Sequence, residues 1–122
     1  NASSPAKASP LTHISNPQLS EICSYLESNV CNDINFTDLC EKFKMSRTNM
    51  KKLFRDNLGY GAMDYFSKCK IDCAKHLIRE KEMNFSQISD YLSFSSVQYF
   101  SRRFTSIAGM TPSEYLRSVK NH

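Results

Sequence analysis

Apolar side chains recur along this chain at three- and four-residue intervals, and short polar turns separate the stretches. Asn16 followed by Pro17 supplies an N-cap with proline at the first helical position. Leu19, Ile22, Leu26 and Val30 then mark a helix near 17–30. Thr37 is placed to cap a second helix, with Leu39, Cys40 and Phe43 on its inner face. Ser46 opens a third, with Met50, Leu53, Phe54 and Leu58 on one side and Gly59 as its stop. Residues 62–82 hold no Gly or Pro and place Phe66, Cys69, Ile71, Ala74, Leu77 and Ile78 along one long helix. Ser86 is placed to cap a fifth helix carrying Ile88, Tyr91 and Leu92. Ser96 caps a sixth, with Phe100, Phe104, Ile107 and Ala108 inward, and Gly109 ends it. Thr111-Pro112-Ser113-Glu114 is a capping box that starts a seventh. No stretch alternates as a strand, so the expected fold class is all-α, with about seven helices.

The pattern also repeats. A shift of 50 residues superposes Ser46 on Ser96, Met50 on Phe100, Lys52 on Arg102, Phe54 on Phe104, Gly59 on Gly109 and Tyr65 on Tyr115. Ahead of the turns the shift is 49, with Phe36 on Phe85, Thr37 on Ser86, Leu39 on Ile88 and Phe43 on Leu92. One extra residue in the Phe94-Ser95-Ser96 turn accounts for the change. Each copy reads as a short helix, a tight turn and a second helix, which is the helix-turn-helix plan. Two similar helical hairpins with no role in DNA binding would share that layout.

The outward faces favour the DNA reading. At 100° per residue, the side opposite Met50, Leu53, Phe54 and Leu58 carries Thr48, Lys51, Lys52 and Arg55. The side opposite Phe100, Phe104 and Ile107 carries Gln98, Ser101, Arg102 and Thr105, position for position under the shift of 50. These are the side chains that read base edges and phosphates. A solvated surface uses the same residue types, but two equivalent sets on the second helices of two such units go beyond that. The long helix has about 20 residues and so spans roughly 30 Å, against ~34 Å between successive major grooves. The organisation expected is a first unit at 16–60, a linker helix at 61–83 and a second unit at 84–122.

Charge and composition narrow the classes. The chain has 122 residues, 16 Lys+Arg against 12 Asp+Glu, and 40% hydrophobic residues. That is enough for one packed domain. The segment 36–60 holds six basic and three acidic side chains, while 1–35 is net acidic. The excess is weak evidence for an anionic partner by itself. No apolar run approaches the ~20 residues of a membrane span, and no secretory leader is visible. The lead at 1–15 reads as a linker or tail: NASSPAKASP is made of Asn, small residues, Pro and Lys, Asn1-Ala2-Ser3 has the look of a cloning remnant, and another domain is expected ahead of it.

Five cysteines stand at 23, 31, 40, 69 and 73, an odd number without a C-x-x-C pair. This favours a reducing cytosol over a disulfide framework. Cys69, Cys73 and His76 share a helix face, but a fourth metal ligand is missing. Cys23, Cys40 and Cys69 read as small core residues, and His13 and His122 have no evident partner. No nucleophile elbow, phosphate-cradling glycine loop or H-E-x-x-H motif occurs, so neither an enzyme nor a cofactor or metal is expected.

The segment FSQISDYLSFSSVQYFSRRFTSIAGMTPSEYLRSV at 85–119 resembles the AraC/XylS transcriptional regulators, in their C-terminal DNA-binding domain. It has the helix, the aromatic-Ser turn, then Tyr-Phe-Ser-Arg-x-Phe, Gly-x-Thr-Pro and a following Tyr. FTDLCEKFKMSRTNMKKLFRDNLGYGAMDYF at 36–66 fits the family's looser first half, and Lys70-Ile71 with Ala74, Leu77 and Ile78 fits its linker helix. The resemblance covers roughly 18–119. It implies a bacterial, cytoplasmic DNA-binding activator of transcription that sets two recognition helices into adjacent major grooves of double-stranded DNA. It implies base-reading roles for Thr48, Asn49, Lys51 and Lys52 in the first unit and for Val97, Gln98, Ser101 and Arg102 in the second. Ser46, Arg47 and Ser96 match positions that usually meet phosphate. Arg55, Arg103 and Thr105 flank the same faces and are assigned to phosphate with them. Val97 could make only apolar contact. RNA polymerase and an upstream sensor or dimerisation domain are the further partners implied, with no membrane. Lys44 and Ser93 stand where the family usually has Gly, so a positive φ there would carry a small cost. The competing reading is a helical protein-interaction module that has lost DNA binding.

Overall fold

The computed structural model describes residues 16–120. Among these the chain forms seven helices and no strand: α1 (Pro17–Ser28), α2 (Phe36–Lys42), α3 (Arg47–Leu58), α4 (Ala62–Glu80), α5 (Phe85–Tyr91), α6 (Val97–Ala108) and α7 (Pro112–Lys120). The expected linker at 1–15, with His13, and the C-terminal His122 lie outside the described residues.

Most helix ends follow the sequence signals. Asn16 Oδ1 accepts from the Leu19 amide at 3.0 Å. Ser46 and Ser96 cap α3 and α6. Thr111 and Glu114 exchange two hydrogen bonds at the start of α7. Gly59 and Gly109 end α3 and α6 at φ 85 and φ 82. A Cβ at either glycine would meet nothing within 4 Å, so conformation rather than space calls for glycine there.

Two caps differ from expectation. Asn35 and Asn84 cap α2 and α5, not Thr37 and Ser86. Each asparagine accepts from the amide three residues on, while Asp38 or Gln87 accepts from the asparagine's own amide. This reciprocal box satisfies two orphan donors at once, whereas a hydroxyl cap at Thr37 or Ser86 would leave Phe36 and Phe85 outside the helix. Helix α1 stops at Ser28, so Val30 leaves the helix and packs with the second half of the molecule.

The chain buries two apolar clusters. Leu19, Ile22, Leu26, Leu39, Met50 and Phe54 form the first with Ala62, Tyr65 and Phe66. Ile88, Leu92, Phe100 and Phe104 form the second with Ile71, Ala74 and Ile78. Helix α4 thus feeds one core with its N-terminal half and the other with its C-terminal half, and it touches α1, α3, α5, α6 and α7. The pairs related by the repeat, Met50 with Phe100 and Phe54 with Phe104, are all fully buried.

The two turns that precede α3 and α6 have the same backbone. Lys44 N–H donates to Glu41 O and Met45 N–H to Cys40 O; Ser93 N–H donates to Asp90 O and Phe94 N–H to Ser89 O. This pair of hydrogen bonds at a helix end needs a left-handed residue. Lys44 and Ser93 fill that place at φ 54 and φ 60.

Candidate nucleic-acid interface

The caps set what the start of each second helix presents. Ser46 Oγ accepts from Asn49 N–H and Ser96 Oγ from Tyr99 N–H, both at 3.0 Å. Each hydroxyl keeps its own proton, and the helix N-terminus beside it carries partial positive charge suited to a phosphate.

On α3, Thr48, Asn49, Lys51, Lys52 and Arg55 are all exposed. Lys52 Nζ lies 3.1 Å from Asp56 one turn on, and both remain largely in solvent. Arg47 is drawn back toward α2: its guanidinium sits 4.9 Å from the Phe36 ring centroid and donates to Thr37 Oγ1 at 2.9 Å. That pose holds the side chain at the edge of the exposed face, beside the Ser46 cap.

On α6, Gln98, Arg102 and Thr105 are exposed and Ser101 is half-buried. The Thr105 hydroxyl donates to Ser101 O at 2.8 Å, which leaves its lone pairs outward. Arg102 stands with its guanidinium 5.9 Å from the centroid of Tyr99. Tyr99 is itself exposed and leans on Phe94 at 6.0 Å between centroids. Tyr99 is a neighbour that helical-wheel reasoning passed over, since it falls between the apolar and polar arcs.

Two assigned residues sit apart from this face. Val97 is half-buried against the second core, in the position that Arg47 holds in the first unit. Arg103 is half-buried between α6 and α4, with Nη2 3.6 Å from Asp64 Oδ1 and a buried Nε that has no partner. It lines a cleft with Tyr60, Asp64, Lys68, Ser106 and Ile107, and so turns away from Arg102.

The cysteines belong to packing. Burial pushes the Cys23 thiol up to about 11 and the Cys69 thiol up to about 12. Cys69 packs on the first core and Cys73 on the second, while His76 Nδ1 lies 3.0 Å from Arg79 Nη2. The three are therefore drawn to different neighbours. Among the described residues no helix is long and apolar enough to cross a membrane.

Comparison with known proteins agrees with this layout. Residues 39–118 match the family described as Helix-turn-helix domain. The HTH-type transcriptional activator RhaR of Yersinia pseudotuberculosis serotype O:1b is 34% identical over 98 residues, covering 80% of this chain and 34% of that protein. The chain thus spans about a third of the length of the curated relatives it matches first. Among solved structures, a transcriptional regulator of the AraC-type DNA-binding domain class from Chromobacterium violaceum superposes with a TM-score of 0.77 at 25% identity, over 84% of this chain and 92% of that one. The DNA-binding domain of AdpA, solved in complex with a target DNA, shares the fold at a TM-score of 0.78 and 17% identity, over 88% of this chain and 96% of that one. Two helix-turn-helix units, one shared central helix and a family match across both place this chain in the AraC-type helix-turn-helix family of transcription regulators.

Proposed function

We propose that this chain is the DNA-binding part of a bacterial transcription regulator and that it reads double-stranded DNA with α3 and α6 in successive major grooves. The observation that carries the reading is the pair of polar faces, with Thr48, Asn49, Lys51, Lys52 and Arg55 exposed on α3, and Gln98, Arg102 and Thr105 exposed beside the half-buried Ser101 on α6. Asn49 apart, they stand at equivalent positions on two units that share one helix. Helix α4 has 19 residues and is about 28 Å long, against ~34 Å per turn of DNA.

In this reading Lys51, Lys52, Asn49, Gln98 and Arg102 meet base edges, with Thr48 and Ser101 as shorter donors. Ser46, Ser96, Arg47, Arg55 and Thr105 lie along the phosphates. Val97 and Arg103 serve packing first, one on the second core and one on Asp64. The role calls for no reaction, metal or cofactor in this chain. Regulation in the bacterial cytoplasm, activation through RNA polymerase, and control by a sensor or dimerisation domain elsewhere in the parent protein complete the proposal.

Selection of a target from random duplexes, followed by footprinting, tests it. Two protected segments about one helical turn apart on one face of the DNA are expected. One short protected segment would refute simultaneous docking. Absence of binding even at low salt would leave a protein-interaction module instead.

A further inference from the structure

Lys70 is a lysine in the middle of α4 with only 7% of its surface exposed. Its ammonium has three N–H groups, and three backbone carbonyls accept them. Val30 O lies at 2.7 Å and Asn32 O at 3.0 Å, both in the loop that follows α1. The third is Leu92 O, at the C-cap of α5. The rings of Phe66 and Phe94 close over the charge at 4.6 Å and 5.6 Å. The cation therefore sits between the loop that follows α1 and the C-terminal end of α5, where the α5 dipole favours positive charge. The loop and the helix belong to different units.

A second contact stitches the same place. Ser93, the left-handed residue of the second turn, donates its hydroxyl to Cys31 O at 2.6 Å. Three consecutive carbonyls, at 30, 31 and 32, are thus held from α4 and from the α5–α6 turn. The Val30 side chain enters the second core beside them. The equivalent residue in the first unit, Lys44, is exposed. The repeat breaks its symmetry where the two units meet.

We propose that Lys70, seconded by Ser93, is a positioning residue that fixes α6 relative to the first unit and so sets the half-site spacing the domain accepts. The proposal rests on the two-groove reading above. Inserting one base pair between half-sites moves the second by about 3.4 Å and turns it by about 34°. A clamped pair of units cannot follow that change, whereas a loosened pair can.

The test uses the whole chain and its selected target, with three duplexes: native spacing, one base pair inserted, and the α6 half-site alone. Wild type should lose about tenfold or more in affinity on the inserted duplex, in line with the loss of one half-site's contacts. Lys70→Met should bring that ratio down to about threefold or less, with half-site binding within about twofold of wild type. Lys70→Arg, which keeps a multidentate cation, should restore most of the discrimination. Ser93→Ala should lower the ratio by a smaller step, and it tests the proposal if Lys70→Met does not fold. Unchanged discrimination in a folded Lys70→Met, or in Ser93→Ala where the methionine variant does not fold, would overturn the assignment while leaving two-groove binding intact. A wild type indifferent to the insertion would overturn the two-groove reading and the clamp with it.

Discussion

The two left-handed turn residues permit a sharp test of how backbone and side chain divide the stabilisation. A non-glycine residue in the left-handed region costs roughly 1–2 kcal/mol. Glycine removes that cost but adds about 0.5–1 kcal/mol of unfolded-state entropy. Compare glycine with alanine at each position, so that the side chain is lost in both. At φ 54 and φ 60 the same backbone difference applies, and glycine should exceed alanine by about 1 kcal/mol at Lys44 and at Ser93 alike. The side chains then separate the sites. Lys44 is exposed, so Lys44→Ala should stay within about 0.5 kcal/mol of wild type. Ser93 loses its 2.6 Å bond to Cys31 O, and Ser93→Ala should cost about 1 kcal/mol. Urea titration followed by circular dichroism measures all four. Alanine and glycine of equal stability at both sites would refute the backbone argument. A neutral Ser93→Ala would refute the hydrogen bond's share.

Four further outcomes are expected. Arg102→Ala should cost about 1–3 kcal/mol on the selected target and much less on random DNA, with Arg102→Lys a poor substitute because it lacks the planar fork; anisotropy titrations on both DNAs at one salt concentration check this, and equal losses would remove the base-reading role. Arg55→Ala should lower the slope of log affinity against log salt by about one, while Arg103→Ala, whose guanidinium is engaged by Asp64, should move it less; equal changes would contradict the placement of Arg103. Phe54→Ala and Phe104→Ala should each cost about 3–5 kcal/mol in denaturant melts, since both rings are fully buried. Cys23 and Cys69 have folded-state pKa values raised from 9.0 to about 11 and about 12. The stabilisation they give the protonated, folded chain is complete below pH 9 and is lost as pH rises through those values. The thermal midpoint should fall between pH 9 and 12, and less steeply in Cys69→Ala.

Much of the fold was legible because helix periodicity, caps and glycine stops are local. Asn16, Ser46, Ser96, Thr111, Gly59 and Gly109 act within four residues of themselves. The Thr37 and Ser86 caps failed for an equally local reason: an Asn two residues earlier, paired with Asp38 or Gln87, makes a better-satisfied box. The polar faces of α3 and α6 followed from angular position alone. What periodicity could not supply was contact between elements distant in sequence. Arg103 lies on the flank of α6, and only the approach of α4 tells that Asp64 meets it. Lys70 reads in sequence as one more charge on a long amphipathic helix. Its burial depends on a loop about 40 residues earlier and a turn about 20 later.

The repeat also separates positions that keep their character from positions that do not. Inside, each position must fill the space its neighbours leave with apolar volume: Phe54 and Phe104 are identical, Leu39 and Ile88 differ only in branching, and Met50 and Phe100 differ in shape but are both buried and apolar. Outside, packing constrains each pair far less, and Thr48 corresponds to Gln98, Lys51 to Ser101, Lys52 to Arg102 and Arg55 to Thr105. A symmetric dimer presents the same face twice and so matches a palindrome. This chain presents two unlike faces on one polypeptide. On the proposed reading its target consists of two different half-sites in a fixed order, and the domain sits on it in one orientation only. The unlike charges sharpen this: α3 offers Lys51, Arg55 and Lys52, the last beside Asp56 in a solvent-exposed pair, while α6 offers Arg102 alone beside Gln98 and hydroxyls. On the same proposed reading, salt-dependent affinity is expected mainly from the first unit and discrimination by hydrogen-bond pattern mainly from the second.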